Sequence, residues 1–158
     1  MGKSHSYELA LTWTGASKGP TASYASYSRE YRVAFAGKPP LVGSADPAFR
    51  GDPALHNPED LLLAALSACH MLSYLAVCAL AKVAVLSYED NASGTVAELE
   101  PQRSAFTDVL LRPRVVIAAG SDRAKAEALH DQAHKICFIA NSVNFPVRHE
   151  AMTAVAES

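Results

Sequence analysis

The sequence lacks several features that would point to a particular class of protein. Its 158 residues contain no internal repeat and no low-complexity tract, and 14 basic and 16 acidic side chains give a net charge of -2. The basic residues are scattered rather than clustered, so the chain has no electrostatic footprint for nucleic acid. We therefore expect one domain spanning residues 1–158 that acts on a small molecule.

Cysteine is scarce, with three in the chain, at positions 69, 78 and 137. An odd number at wide spacing is unlike the disulfide framework of a small secreted protein. The N-terminal residues also lack the hydrophobic segment of a secretory signal. We therefore expect a cytoplasmic protein. The placement of Cys69 and Cys137 in two helix-like segments indicates thiol redox chemistry; the alternative is that all three cysteines are small core side chains.

One uncharged run, residues 61–81, is about as long as a membrane span. It is rich in alanine, contains Ser67, Cys69 and His70, and has no basic cluster on either side. A helix that is apolar on all sides in a soluble protein is wrapped by other elements, here a sheet and a second copy of the chain. We therefore expect no membrane partner.

Two helices are predicted. The first begins after Asn57, which is a good N-cap, with Glu59 and Asp60 in the first turn, where negative charge suits the helix dipole. The second runs from Asp122 to about Ile139, along an apolar stripe at helical spacing. Both helices need a sheet to cover their apolar faces.

Strand patterns surround these helices. The predicted strands are residues 7–13, 24–27, 31–35, 83–88, 94–99, 106–117 and 144–152. Residues 42–56 read as an irregular loop, and 83–88 and 94–99 read as a hairpin that turns at 89–93. The predicted fold is therefore α+β, with antiparallel-rich sheets packed around a long apolar helix and a second helix.

Cys69 lies near the middle of the first predicted helix. Cys78, nine residues later, lies on the opposite face and roughly 13 Å away along the axis, so the two cannot form a disulfide within one helix. Cys137 could pair with Cys69 or with Cys78 if the two helices pack together. A thiol buried among apolar groups is inert unless a neighbouring group stabilises the thiolate.

Glu59 and a nearby arginine could supply that stabilisation. Glu59 lies ten residues before Cys69 and on an adjacent face, so its carboxylate does not contact the thiol. A guanidinium, however, can pair with a carboxylate and still present N–H donors to a thiolate. Arg50 is the first candidate, with Arg32 and Arg29 as alternatives. The competing interpretation is that Glu59 complements the helix dipole and Arg50 is a solvated loop charge.

Residues 57–69, Asn-Pro-Glu-Asp-Leu-Leu-Leu-Ala-Ala-Leu-Ser-Ala-Cys, resemble the cysteine-bearing helix of the OsmC/Ohr family, the osmotically inducible protein C and organic hydroperoxide resistance proteins. The resemblance extends over most of the chain, including the order of strands. It implies an OsmC-like fold, an intertwined homodimer with two sites at the subunit interface, and thiol-dependent reduction of organic hydroperoxides or hydrogen peroxide in oxidative stress defence.

The resemblance also implies roles for individual residues. Cys69 corresponds to the peroxidatic cysteine, Cys137 to the resolving cysteine, Glu59 to the glutamate that pairs with the catalytic arginine, and Arg50 to that arginine. No cofactor is expected, and an external dithiol would return the disulfide to two thiols. In the better-known members the second cysteine opens a Cys-Pro motif, whereas Phe138 follows Cys137 here.

Two other kinds of chemistry compete with this one. His130, His134 and Cys137 are spaced four and three residues apart, which predicts a metal site on one helix face, in a metal-binding or non-catalytic stress protein. The two histidines could instead form a polar or interfacial edge that tunes Cys137. Acyl transfer by Cys69 is a third class, but no feature supplies an oxyanion hole, and His70 is turned about 100° from the thiol.

Overall fold

Two α-helices and nine strands are found in the part of the chain that the computed structural model describes, Gly2 and residues 4–157. The predicted α+β class is confirmed. The chain divides into two compact units, residues 1–62 and 63–158, and the boundary falls inside the first helix, α1 (Pro58–Leu80). A single domain over residues 1–158 stays a prediction.

The first unit contains a three-stranded antiparallel sheet. Its strands, in spatial order, are β1 (Ala10–Thr12), β2 (Tyr31–Ala34) and β3 (Leu41–Gly43). The strand predicted at residues 24–27 is wrong. These residues form turns, because the side chain of Arg29 donates hydrogen bonds to the backbone carbonyls of Tyr24 and Tyr27. Short 3-10 helices lie at Thr14–Lys18 and Pro47–Phe49.

The segment between β3 and α1 is a loop held by short polar contacts. Gly51 makes a close approach in it, since a Cβ there would lie 1.5 Å from the backbone oxygen of Ala45. The predicted start of α1 is confirmed: Asn57 accepts a hydrogen bond of 2.8 Å from the N–H of Asp60 through its side-chain oxygen. Asn57 also donates to the carboxylate of Asp46 at 3.4 Å, so the cap is tied to the loop.

The second unit contains the rest of α1, the helix α2 and two sheets. Its elements are β4 (Val85–Asp90), β5 (Ser93–Glu100), β6 (Arg103–Leu111), β7 (Pro113–Ile117), α2 (Arg123–Ile136), a 3-10 helix (Ala140–Ser142), β8 (Val147–His149) and β9 (Met152–Val155). The strand orders are β4-β7-β9 and β5-β6-β8. Only β6–β8 and β7–β9 are parallel among the described strands, so the predicted antiparallel-rich arrangement is confirmed.

The hairpin predicted to turn at residues 89–93 is wrong. β4 pairs with β7 and β5 pairs with β6, so the chain passes there from one sheet to the other and reverses only after β5, where Gln102 has φ 67°. At this connection the carboxylate of Asp90 accepts hydrogen bonds from the Ser67 hydroxyl at 2.5 Å and from the backbone N–H of Arg112 at 2.6 Å.

Three predicted elements are shorter than their patterns. Residues 106–117 form two strands rather than one, since β6 ends before Arg112 and β7 begins at Pro113. The last predicted strand is likewise split into β8 and β9. α2 starts after Asp122 as expected but ends at Ile136, so Cys137 is its C-cap rather than a helical residue.

Candidate active site

Cys69 and Cys137 are in contact in the second unit. Cys69, in α1, is partly exposed, whereas Cys137 is 1% exposed at the end of α2. Burial raises the pKa of Cys137 to about 11, and a hydrogen bond to Cys69 adds to the shift. Cys137 is therefore a protonated thiol at neutral pH, and Cys69 is the member of the pair that solvent reaches.

Cys78 takes no part in this pair. It is 1% exposed within the apolar core of the second unit, where it contacts the Tyr74 hydroxyl. Burial raises the pKa of this thiol. A buried neutral thiol with an apolar surround behaves as a small core side chain.

A buried histidine pair ties α1 to α2 beside the thiols. His70 Nε2 and His130 Nδ1 lie 3.1 Å apart, both residues are at most 1% exposed, and their ring planes differ by 6°. Burial lowers the pKa of His70 to about 4 and that of His130 to about 3. Both rings are therefore neutral at pH 7, with one donating its N–H to the other. The Tyr74 ring stacks on His130 with 3.8 Å between centroids.

The predicted metal face of α2 is not formed. In the described part of the chain no group of three His, Cys, Asp or Glu side chains is placed to hold a metal ion. His130 faces His70, while the ring of His134 lies 6.1 Å from that of His149. The helix ends before Cys137, so the helical spacing on which the predicted face rested does not extend to it.

A cavity of about 450 Å³ lies in the first unit. Aromatic side chains make up much of its wall, with one guanidinium and two carboxylates. These residues are Trp13, Tyr27, Tyr31 and Phe49, the guanidinium of Arg29, and the carboxylates of Asp46 and Glu59. Glu59 Oε2 is buried and has no hydrogen-bond partner within the described residues, and burial together with this carboxylate raises the pKa of Tyr31. The cavity thus holds a carboxylate oxygen that is free to accept from a donor.

The structure brings Arg29, rather than Arg50, to the cavity of Glu59. Arg50 is exposed, has a left-handed backbone (φ 65°) at the end of the Pro47–Phe49 helix, and makes no ion pair with a described residue. Arg32 is exposed on β2. Spacing along the chain favoured Arg50, but the backbone reversal at residues 24–29 is what turns Arg29 inward.

The family model for OsmC-like proteins matches residues 51–151, nearly two thirds of the sequence. The chain belongs to the OsmC-like family. The matched region of this OsmC-like protein includes the helix motif at residues 57–69 and Cys137. None of the curated proteins matches the sequence significantly.

Solved structures agree with this assignment. An OsmC-like protein of unknown function from Vibrio cholerae is 33% identical, with a TM-score of 0.83 over 94% of this chain and 100% of that chain. An organic hydroperoxide resistance protein from Legionella pneumophila is 18% identical (TM-score 0.67; 96% and 100% covered). Another, from Elizabethkingia anophelis, is 19% identical (TM-score 0.68; 98% and 100% covered). The last two show that the OsmC-like fold is shared.

α1 of this OsmC-like protein is long and apolar enough to cross a membrane by length and composition, with a mean hydropathy of 1.9. The core helix of a soluble protein meets the same criterion. In the second unit, Leu66, Tyr74 and Val77 of this helix are buried, and His70 is bonded to α2. These contacts are those of a core helix.

Proposed function

We propose that this OsmC-like protein is a thiol-dependent peroxidase that reduces organic hydroperoxides or hydrogen peroxide in oxidative stress defence. Cys69 is the peroxidatic cysteine and Cys137 the resolving cysteine. The observation that supports this most is the contact between a partly exposed Cys69 and a buried, protonated Cys137. A disulfide between these two thiols would join α1 to the C-terminal end of α2.

The chemistry conserves atoms and electrons in two steps. The Cys69 thiolate attacks one peroxide oxygen, so that an S–O bond forms and the O–O bond breaks, and the leaving alkoxide or hydroxide takes a proton. The sulfenic acid then condenses with the Cys137 thiol, forming the S–S bond and releasing water. An external dithiol reduces this disulfide by thiol–disulfide exchange, so no bound cofactor is required.

The burial of Cys137 and its raised pKa support this order of steps. A thiol with a pKa near 11 is almost entirely protonated at neutral pH, and the thiol form is a poor nucleophile. Cys69 therefore reacts first with peroxide. Cys137 loses its proton as it attacks the sulfenic sulfur, and the disulfide that forms protects Cys69 from oxidation to the irreversible sulfinic acid.

Arg29, which lines the same cavity as Glu59, is the arginine that we propose to stabilise the thiolate and the charge on the leaving oxygen. We further propose that this guanidinium serves the Cys69 thiol of a second copy of the chain. We accordingly propose a homodimer with two shared sites, working in the cytoplasm without nucleic acid or membrane partners.

Exposed apolar side chains on α1 support the homodimer. Leu72 is 62% exposed and Leu80 is 85% exposed, and Phe138, which follows Cys137, is 75% exposed. Large apolar groups on the surface of a helix that is otherwise a core element favour burial against a partner. A second copy of the chain supplies such a surface.

Peroxide consumption by cysteine variants tests the proposal. Wild-type protein and Cys78→Ser should consume cumene hydroperoxide at similar rates with dithiothreitol as reductant, while Cys69→Ser should consume none above buffer. Cys78 is the matched control because it is a buried thiol of the same helix outside the pair. Undiminished turnover by Cys69→Ser would exclude Cys69 as the nucleophile.

A further inference from the structure

We propose that Tyr27 and Tyr24 form an aromatic clamp that positions Arg29, and that Tyr27 is its main member. The inference rests on the proposed function, in which Arg29 acts at the reacting sulfur. Arg29 Cζ lies 3.8 Å from the ring centroid of Tyr27 and 4.8 Å from that of Tyr24. Both distances fall within the range of a cation–π contact.

Each tyrosine also holds the guanidinium through its backbone. Arg29 Nη1 donates to the carbonyl of Tyr27, and Nη2 donates to the carbonyl of Tyr24 at 2.5 Å. A guanidinium has five N–H donors in a fixed plane, so three remain for other acceptors. The clamp thus fixes the plane of the group and leaves an edge free for Glu59 and the reacting atoms.

Tyr27 is itself fixed by its neighbours. The Trp13 ring meets it edge-on, with centroids 6.1 Å apart and planes at 83°, and Trp13 Nε1 donates to the backbone oxygen of Ser28 at 2.7 Å. Gly15 makes room for this contact, because a Cβ there would lie 2.5 Å from Trp13 Nε1. Tyr24, by contrast, is 62% exposed and has more freedom. Tyr27 is therefore the more firmly fixed of the two rings that contact Arg29.

Arg29 has no ion pair with a described residue. Its orientation in the first unit accordingly depends on the two carbonyls and the two rings. A flexible arginine would have to be ordered in every turnover, and a misplaced catalytic group slows a reaction steeply. Removing the Tyr27 ring should therefore reduce the rate while leaving the thiols intact.

The matched variants are Tyr27→Leu, which removes the ring, and Tyr27→Phe, which keeps it. Tyr7→Leu is the control for losing a tyrosine, since Tyr7 is 88% exposed. We expect Tyr27→Leu to lower kcat/KM for cumene hydroperoxide about tenfold, as for the loss of a desolvated cation–π contact. Tyr27→Phe should retain the wild-type kcat/KM. Tyr24→Leu, an exposed position that does not threaten folding, should give a smaller loss in the same direction.

Modification of Arg29 by phenylglyoxal, followed by peptide mass spectrometry, gives a readout that does not depend on peroxidase activity. Tyr27→Leu should react faster at Arg29 than wild type and Tyr27→Phe. Equal reactivity in all three would overturn the clamp. Faster modification with an unchanged kcat/KM would overturn the positioning role. If wild type reduced no peroxide, the proposed function and the positioning role would both be wrong. Faster modification of Arg29 in Tyr27→Leu would still support the clamp contact in that case.

Discussion

Acidification should destabilise the second unit through the buried pair of His70 and His130. Their pKa values are lowered from 6.5 to about 4 and about 3, with burial as the main cause. Between these values and 6.5 the unfolded chain binds more protons than the folded chain, so the free energy of unfolding falls as the pH falls. The slope is about 1.4 kcal/mol per pH unit for each histidine.

The expected loss in the free energy of unfolding is a large fraction of the stability of an ordinary protein. From pH 7 to 4.5 each ring contributes at most about 2.5 kcal/mol, so the pair removes up to about 5 kcal/mol, against typical stabilities of about 5–15 kcal/mol. Neighbouring charges modulate this loss in both directions. Those that lower the pKa values of the pair are His134 and His149, and those that raise them are Asp90 and Asp131. Above about pH 7.5 the pair contributes almost no slope, since both rings are then neutral in the folded and in the unfolded chain.

Urea unfolding between pH 4.5 and 8 measures this loss. The lower limit avoids Asp108, whose pKa is lowered by the Arg148 hydrogen bond and which affects stability only in stronger acid. His130→Gln should retain about half of the slope below pH 6.5, because one of the two titrating rings is gone. His5→Gln, at an exposed position, should keep the full slope. A wild-type stability that is constant from pH 7 to 4.5 would show that the His70–His130 pair does not couple folding to proton binding.

Three further predictions concern the site and its supports. Arg29→Lys should lower the steady-state rate of peroxide reduction about 100-fold, because a point charge replaces the planar guanidinium. Arg50→Gly should keep full activity, and it relieves the left-handed backbone at φ 65°. The opposite pattern of rates would assign the role to Arg50. Cys137→Ser should leave Cys69 as a sulfenic acid that dimedone traps, seen as an adduct by intact mass; if no adduct formed, Cys137 would not be the resolving thiol. Asn57→Ala should cost about 1 kcal/mol in urea unfolding, and an unchanged midpoint would mean that the cap is dispensable.

The elements best predicted from the sequence are those set by local chemistry. The start of α1 follows from Asn57 and the acidic first turn, and the start of α2 follows from Asp122, because capping involves only residues within one turn. The Cys69 position on α1 follows from the same boundary. The OsmC-like family is likewise confirmed from a short motif in this helix.

The features that were missed depend on distant partners. A polar stretch such as residues 89–93 can connect two strands that pair with each other or two strands of different sheets, and its composition is the same in both cases. Here it connects different sheets, and Asp90 accepts hydrogen bonds from Ser67 and Arg112 at that point. The two tyrosines of residues 24–27 are typical of a strand, but the Arg29 side chain donates to the backbone carbonyls of both. Spacing along the chain therefore could not identify which arginine lines the cavity that contains Glu59.

The most direct test of the central claim is a single-turnover reaction of fully reduced protein with one equivalent of cumene hydroperoxide, followed by intact mass and peptide mapping. We expect loss of two hydrogens per chain and a peptide pair joined through Cys69 and Cys137, with Cys78 still a free thiol. A protein that keeps three free thiols while hydroperoxide remains, or a disulfide that includes Cys78, would contradict it.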